Sequence, residues 1–511
     1  DWATPSDDEG LRGPAPRFTL VVPVWNTDPD ALRALFRSVR AQRYDAWDMS
    51  IVDDASTRPE TRSVLDEVAA DPRARVTRLD RNSGIGDATR AGLAGATGEW
   101  IAFVDHDDVL DPDTLLDVAR LIREAPDLEM VYTDQDRLRA DGTIGDPAFK
   151  SAWSVDLLRS TNCIVHLCCY RRSLLDALGG IREGFDGSQD YDLLLRVGDA
   201  VDTTRIGHVA RPRYHWRASA GSVAGDPEAK PWAFEAARRA LADSLHRRNM
   251  PGRVEPDEVL GWYHTRYDIV GRPRATVVVV GDAGIALDTT RAGVMRAGDG
   301  AVAVVETAQA RTGPAAAAAA ANASTDLVAF VAAGVVVRPG WLDALCEHAQ
   351  RADVGFAGGT LVDDAGRSTF GLVVGGPATV VPATPAVVPG DFAWSGRVVR
   401  NLSAVTLELA ATRPEVVRSI GWDDELDGDV FAADMGLRAR TRGLAVVSTP
   451  HAEGVRSDHT AGTRASRRAI RTFRAQWDLD TAADPFLNPN VPVPGRRTAR
   501  VVSIRRGARA R

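Results

Sequence analysis

The sequence predicts an α/β protein: a doubly wound, mostly parallel sheet, present twice in tandem. Apolar runs of strand length alternate with segments whose apolar residues recur at helical spacing, as successive β-α-β units do. The early runs end in polar or acidic residues, where an open α/β sheet has its ligand crevice. Near residue 274 the same order begins again, as an internal repeat would.

Length and charge narrow the classes further. At 511 residues the chain exceeds one ordinary core and predicts roughly two to four domains. Hydrophobic residues make up 44% and charged residues 26%, as in globular proteins. A net charge of -8 and a pI near 5.7 exclude nucleic acid as a main partner. No apolar run approaches the roughly 20 residues of a membrane span, and no signal peptide opens the chain. The first residue is Asp1 rather than Met, so an upstream segment stays open. Cys163, Cys168, Cys169 and Cys346 have neither zinc-site nor disulfide spacing and read as buried thiols in a reducing cytosol.

The elements follow in order. Residues 1–16 are an acidic, Pro/Gly-rich lead-in. FTLVVPVWN (18–26) reads as a buried strand whose pairing stops at Pro23. DPDALRALFRSVRAQ (28–42) has helical spacing behind an acidic start. WDMSIVDDAS (47–56) is a second strand ending in Asp53 and Asp54. A helix near 59–70 and a short strand, 75–79, come next. RNSGIGDATRAGLAGATGEW (81–100) begins as a glycine-bearing loop and becomes a small-residue helix. The central stretch is EWIAFVDHDDVLDPDTL (99–115): a strand from Trp100 to Val104, then Asp105, His106, Asp107 and Asp108. Alternate carboxylates at a strand end repel each other unless a cation or donor neutralises them. Asp105 and Asp107 therefore read as ligands for a hard divalent metal that also holds phosphate oxygens; capping of the helix opened by Asp111-Pro112-Asp113 is the plainer alternative.

PVWN (23–26), IVDDAS (51–56), RNSGIG (81–86) and DHDD (105–108) resemble the family-2 glycosyltransferases with a GT-A fold, the nucleotide-diphospho-sugar transferase fold. The resemblance continues through 151–197 and 208–217 and covers about residues 17–220. The nearest group is the bacterial enzymes that build O-antigen-like or other cell-surface polysaccharides. It implies an inverting transfer from a nucleotide-diphosphate sugar donor to a glycan or lipid-linked glycan acceptor. Pro23, Trp25 and Asn26 would flank the base, and Asp54, beside Asp53, would accept from the base or a ribose hydroxyl. Asn82 and Gly84 would approach the donor. Asp105 and Asp107 would bind Mg²⁺ or Mn²⁺ across the diphosphate, with Asp108 orienting the site. Asp190, in GSQDYDLLLR (187–196), would be the base that takes the acceptor proton. His215 in YHWR (214–217) is either a third metal ligand or a packing residue. Trp153 reads as core.

Residues 221–271 read as a helical connector, and 272–480 as a degenerate second copy. LVAFVAAGVVVRPGWL (327–342) lies over the central stretch, with Ala332, Ala333 and Gly334 at Asp105, His106 and Asp107. A second alignment puts Asp434 at Asp190 and His459 at His215. The acids are gone, so this copy is expected to bind or scaffold, through acceptor glycan or a homo-oligomer, or simply to extend the core. The tail, 481–511, is proline- and then arginine-rich, which suits peripheral contact with the inner face of the cell membrane from the cytoplasm. Two rival classes remain: a glycan-binding scaffold with both copies inactive, and a sugar nucleotidyltransferase. The second fits poorly, because VPVWNTDPD lacks the glycine-rich basic loop that holds a triphosphate.

Overall fold

The computed structural model describes residues 15–217, 231–271, 273–281, 290, 292–294, 303–308, 313–374, 380–384, 396–456, 465–477 and 484–491. The lead-in up to residue 14, His459 and the arginine-rich tail from 492 onward lie outside them.

The first half begins with β1 (Phe18–Val24), α1 (Pro29–Arg40), β2 (Trp47–Asp53), α2 (Pro59–Ala69), β3 (Ala74–Arg78), α3 (Ile85–Gly95) and β4 (Trp100–Phe103). β1 is buried along its whole length, as a strand covered on both faces must be, which explains its unbroken apolar run. α1 starts where the Asp28 carboxylate accepts from the backbone N–H of Asp30 and Ala31, with Pro29 in the first turn. α3 needs its small residues: a Cβ on Gly92 would lie 2.6 Å from Val21 Cγ1, so only glycine lets this helix rest on the sheet. Pro23 stops pairing on one side only. Val21 accepts from Val104 N–H on the β4 side, where the missing donor of Pro23 falls, while pairing with β2 continues to Val24.

The chain continues through β5 (Val109–Leu110), α4 (Thr114–Glu124), β6 (Met130–Leu138), β7 (Ile144–Ala148), α5 (Val155–Leu158), β8 (Cys168–Arg171), α6 (Arg172–Leu178), α7 (Gln189–Ala200) and β9 (Ile206–Arg217). The sheet order is β3-β2-β1-β4-β8-β6-β9-β5, with β7 beside β6. This corrects the expected mostly parallel sheet. β3-β2-β1-β4 and β6-β9 are parallel, but β8 runs antiparallel between β4 and β6, and β5 returns antiparallel along β9.

α8 (Pro231–Arg247) and the hairpin β10 (Gly252–Pro256) and β11 (Tyr263–Tyr267) pack on the face carrying α7, joining one core with Tyr191, Leu194 and Leu241. Trp153 belongs to that core. A second sheet follows in the order Ala303–Ala308, Ala275–Val280, Leu327–Ala332, Leu409–Thr412, Val354–Asp363, Ala445–Arg456, Val335–Val337. It repeats β2-β1-β4-β8-β6-β9-β5 with the same strand senses throughout. Phe18 faces Trp100 and Ala275 faces Leu327, so Ala332 occupies the position of Asp105. The later alignment needs correction. β9 and Ala445–Arg456 match end to end, and Asp429, second in the helix Gly428–Thr441, stands where Asp190 stands in α7. Asp434 lies deeper in that helix, bonded to Arg438, Gln476 and Trp477.

The two halves share a buried seam. Phe149 and Leu157 from the first half, Trp262 from the hairpin, Phe370 and Leu402 from the second, and Leu487 and Val491 beyond it form one apolar cluster. At about 1.5–3 kcal/mol per fully buried side chain, this cluster outweighs any single ion pair across the seam. The ion pair instead sets position. Arg351 Nη1 donates to Asp156 Oδ1 at 2.5 Å and Asn401 Nδ2 to Asp156 Oδ2 at 2.7 Å, all three residues being buried. Burial alone would raise the Asp156 carboxyl; the charges of Arg351 and Arg159 outweigh it and hold it below the usual carboxylate range. A depressed carboxyl adds stability that is complete at neutral pH and fades as pH falls below the ordinary aspartate range. Arg351→Met strands the buried Asp156 charge and is expected to lower unfolding free energy by about 3–5 kcal/mol in urea titrations at pH 7. A loss within the error of those titrations would refute the assignment.

Candidate active site

The strands β1, β2, β4 and β9 point their carboxyl ends the same way, and the acidic run after β4 forms a loop over the end of β9. The pairing of β5 with β9 fixes that loop, Val109 lying opposite His215 and Leu110 opposite Tyr214. Arg217 closes it: its backbone N–H donates to Asp108 Oδ1 at 2.7 Å, and its Nε to the Asp107 carbonyl at 2.7 Å. The Asp105 N–H donates to Tyr214 Oη at 3.2 Å.

Among the described residues, Asp105, Asp108 and His166 form a group whose ligand atoms all lie within 4.8 Å of one another. Asp108 is 1% exposed, and among the described residues its Oδ2 has no hydrogen bond of ordinary geometry, Tyr214 being its polar neighbour. Burial, then the negative charges of Asp105 and Asp107, push its carboxyl well above the ordinary range. A carboxylate so placed requires a cation or a proton. Burial holds His166 down to about 4, so at neutral pH its ring is uncharged and can offer a lone pair. Two carboxylates and one imidazole suit Mg²⁺ or Mn²⁺, and the residues fit the divalent ion that the resemblance implies.

His166 is the residue that sequence reasoning missed. It comes from the loop before β8, in a stretch with no acidic or glycine signal, and stacks on Tyr214 with ring centroids 4.7 Å apart. Its Nε2 lies 3.6 Å from Asp105 Oδ2. His215, the histidine expected here, is not in the group. Side chains alternate along a strand, and Tyr214 and Trp216 take the face towards His166. His215 thus falls on the other face, its Nδ1 2.6 Å from Asp136 Oδ1.

Asp190 sits in the first turn of α7, half-buried, with its Oδ2 accepting from Asn162 Nδ2 at 3.0 Å. Burial raises its carboxyl; His166, the Tyr191 N–H and Asn162 work against that, and Asp105 adds to it. Asp105, Asp107, Asp108, His166 and Asp190 therefore feel one another's charge in a single locale. Asp192, two residues on, is fully buried and bonded to Arg182 and Arg196, a structural role.

At the ends of β1 and β2, Trp25 presents a ring 52% exposed, while Pro23 is buried within its strand. Asn26, at φ 48°, ties the two loops together: its Oδ1 accepts from the N–H of Thr57 at 2.7 Å and of Arg58 at 2.9 Å. Asp53 accepts from the Ser56 N–H at 2.8 Å. Asp54 is 3% exposed, and its two oxygens accept from the N–H of Ser83 at 2.7 Å and of Gly84 at 2.9 Å. Asp54 has a shaping role besides the expected contact with a base or ribose: it folds the loop carrying exposed Asn82 and half-buried Gly84, whose φ of 89° favours glycine. Asp186 links this loop to the one carrying Asp190, accepting from the Gly86 N–H at 3.0 Å.

A mixed α/β sheet thus carries an acid cluster suited to a metal, a buried carboxylate and an exposed indole at its strand ends, where an open α/β sheet binds its ligand. Residues 19–179, in the N-terminal part of the chain, match the family described as glycosyl transferase family 2. Over 93% of its length the chain is 35% identical to the uncharacterized protein y4gI of Sinorhizobium fredii and 32% identical to the O-antigen biosynthesis protein RfbC of Myxococcus xanthus. It spans 58% and 40% of those two proteins. A PGL/p-HBAD biosynthesis glycosyltransferase of Mycobacterium tuberculosis is 29% identical over 39% of this chain and 77% of its own length. The crystal structure of S. aureus TarS 1-349 in complex with UDP-GlcNAc aligns over 45% of this chain and 66% of that one, at 21% identity and a TM-score of 0.38. Among the described residues no helix is long and apolar enough to cross a membrane.

Proposed function

We propose that this chain is an inverting, metal-dependent glycosyltransferase that moves a sugar from a nucleotide-diphosphate donor to a growing cell-surface glycan. The buried Asp108 carboxylate, whose Oδ2 lacks a hydrogen bond of ordinary geometry among the described residues, grouped with Asp105 and His166 beside Asp190, carries the reading. A divalent cation bound there, Mg²⁺ or Mn²⁺, supplies charge neutralisation to the diphosphate leaving group. Asp105, Asp108 and His166 hold it, with Asp107 adjoining. Trp25 offers its face to the base, while Asp53, Asp54 and Asn26 keep the loops around it rigid; Asn82 and Gly84 border the donor. Asp190 takes the proton of the acceptor hydroxyl, and Asn162 aims its carboxylate. The acceptor is a glycan, free or lipid-linked, in keeping with the O-antigen biosynthesis name of the M. xanthus relative. Residues 17–220 form the catalytic domain and 272–480 a GT-A-like copy that has lost donor chemistry, Ala332 standing where Asp105 stands. Peripheral membrane contact through the arginine-rich tail, on the cytoplasmic side, belongs to the same reading.

A donor-hydrolysis screen across UDP-, GDP- and dTDP-sugars, with Mn²⁺ and with chelator, tests it. At least one donor is expected to be cleaved with Mn²⁺ and spared with chelator. Hydrolysis that chelator leaves unchanged, or none with any donor, would count against the metal-dependent enzyme.

A further inference from the structure

Lys150 is one of two lysines in the chain, is 5% exposed, and serves the active site from behind. Its ammonium donates to three backbone carbonyls: Thr133, at 2.8 Å, Ile164 and His166. Those last two belong to the loop that carries both Asn162, the partner of Asp190, and His166 itself. Three neutral carbonyls around a buried cation make a rigid clamp, because each bond is charge-assisted and they converge on one ammonium from two segments.

The clamp is itself braced by a segment distant in sequence. The Lys150 N–H donates to Asp134 Oδ1 at 2.9 Å, and Asn488 Nδ2 donates both to Asp134 Oδ2 and to the Lys150 carbonyl, each at 2.8 Å. Asn488 belongs to the segment Asp484–Val491, which follows the second sheet. Pro485 accepts from the Ala152 N–H at 2.8 Å, and Asn490 Nδ2 donates to the Ala210 carbonyl at 2.9 Å. At its start, Asp484 accepts from the Val374 N–H and the Ser403 hydroxyl, both at 2.8 Å, in the second half. Leu487 and Val491 sit in the apolar seam.

We propose that Asp484–Val491 is a strut by which the second half positions the His166 loop, with Asn488 and Lys150 as positioning residues for the metal site. The second half then has a task in catalysis without chemistry of its own: it fixes where the histidine ligand stands. This inference rests on the metal-dependent reading above.

The test uses the full chain, with Mn²⁺ as the probe in the presence of UDP or GDP, whichever the unmutated chain binds. Binding is followed by calorimetry and by the Mn²⁺ paramagnetic resonance signal, alongside thermal melting. Asn488→Ala is expected to weaken Mn²⁺ binding by about tenfold or more, as loss of an outer-shell support does. Asn490→Ala removes a bond from the same segment without touching Asp134 or Lys150 and is expected to leave Mn²⁺ affinity unchanged. Equal losses in the two variants, or no loss in Asn488→Ala, overturn the strut. If Asn488→Ala does not accumulate as folded protein, Lys150→Arg decides: it keeps a buried cation but redirects its donors, so weakened Mn²⁺ binding supports the proposal and unchanged binding overturns it. Absence of Mn²⁺ binding in the unmutated chain would overturn this inference and the metal-dependent reading together. Binding that survives Asn488→Ala removes the strut alone.

Discussion

Asp190→Asn is expected to lower the turnover number of sugar transfer by about 10²–10⁴-fold, the usual contribution of a positioned general base. Binding of metal and nucleotide should stay close to that of the unmutated chain. The amide keeps the shape of the side chain and can still meet Asn162, so the variant isolates proton removal from folding. The pH profile carries the same signature. Burial raises the Asp190 carboxyl from its ordinary value, and a base works only when ionised. The rate should therefore fall as pH drops through that raised value, with its acidic limb above the range of an exposed aspartate. His166, held down to about 4, is neutral at pH 7 and adds no limb of its own near neutrality. Turnover in Asp190→Asn equal to that of the unmutated chain would move the base elsewhere.

Asp105→Ala is expected to weaken metal-dependent nucleotide binding by at least about 100-fold, the upper end of what losing even an outer-shell support costs. It removes one of three grouped ligand atoms and leaves Asp108 buried without its neighbour. Titration of UDP or GDP with Mn²⁺, and again with chelator, separates this from general damage, because chelator should abolish the difference between the two proteins. The two histidines sharpen the test. His166→Ala should weaken binding measurably, whereas His215→Ala, whose ring is engaged with Asp136, should leave Mn²⁺ affinity intact. The reverse result would restore His215 to the metal site and dissolve the group described above.

Much of this site was legible because strand ends announce themselves. An unbroken apolar run that stops at Asp105, or at Asp53, marks the rim of a sheet, and the glycine at position 84 marks a backbone that turns back. What those acids touch was not legible in the same way. Asp54 folds the Ser83–Gly84 loop, and only the close approach of that loop shows it. His166 gave no local signal, because a loop histidine between apolar residues looks the same whether it lines a site or a core. The placing of His215 beside Asp136 rather than in the grouped ligands has a simple origin. The motif YHWR locates a strand end but not its parity, and one residue of register decides which face a side chain takes.

The repeat teaches the same point at larger scale. Apolar periodicity and acidic strand ends, which depend on neighbours in the chain, were enough to mark two α/β units, the first sheet's elements as far as β4, and the loss of acids at Ala332. They could not place β5, β6, β7 and β8, nor reveal that β8 enters antiparallel, that Asp429 rather than Asp434 matches Asp190, or that Asn488 reaches back to Lys150. Those features depend on contacts between segments tens to hundreds of residues apart, and a linear pattern holds no record of which distant surfaces bury one another.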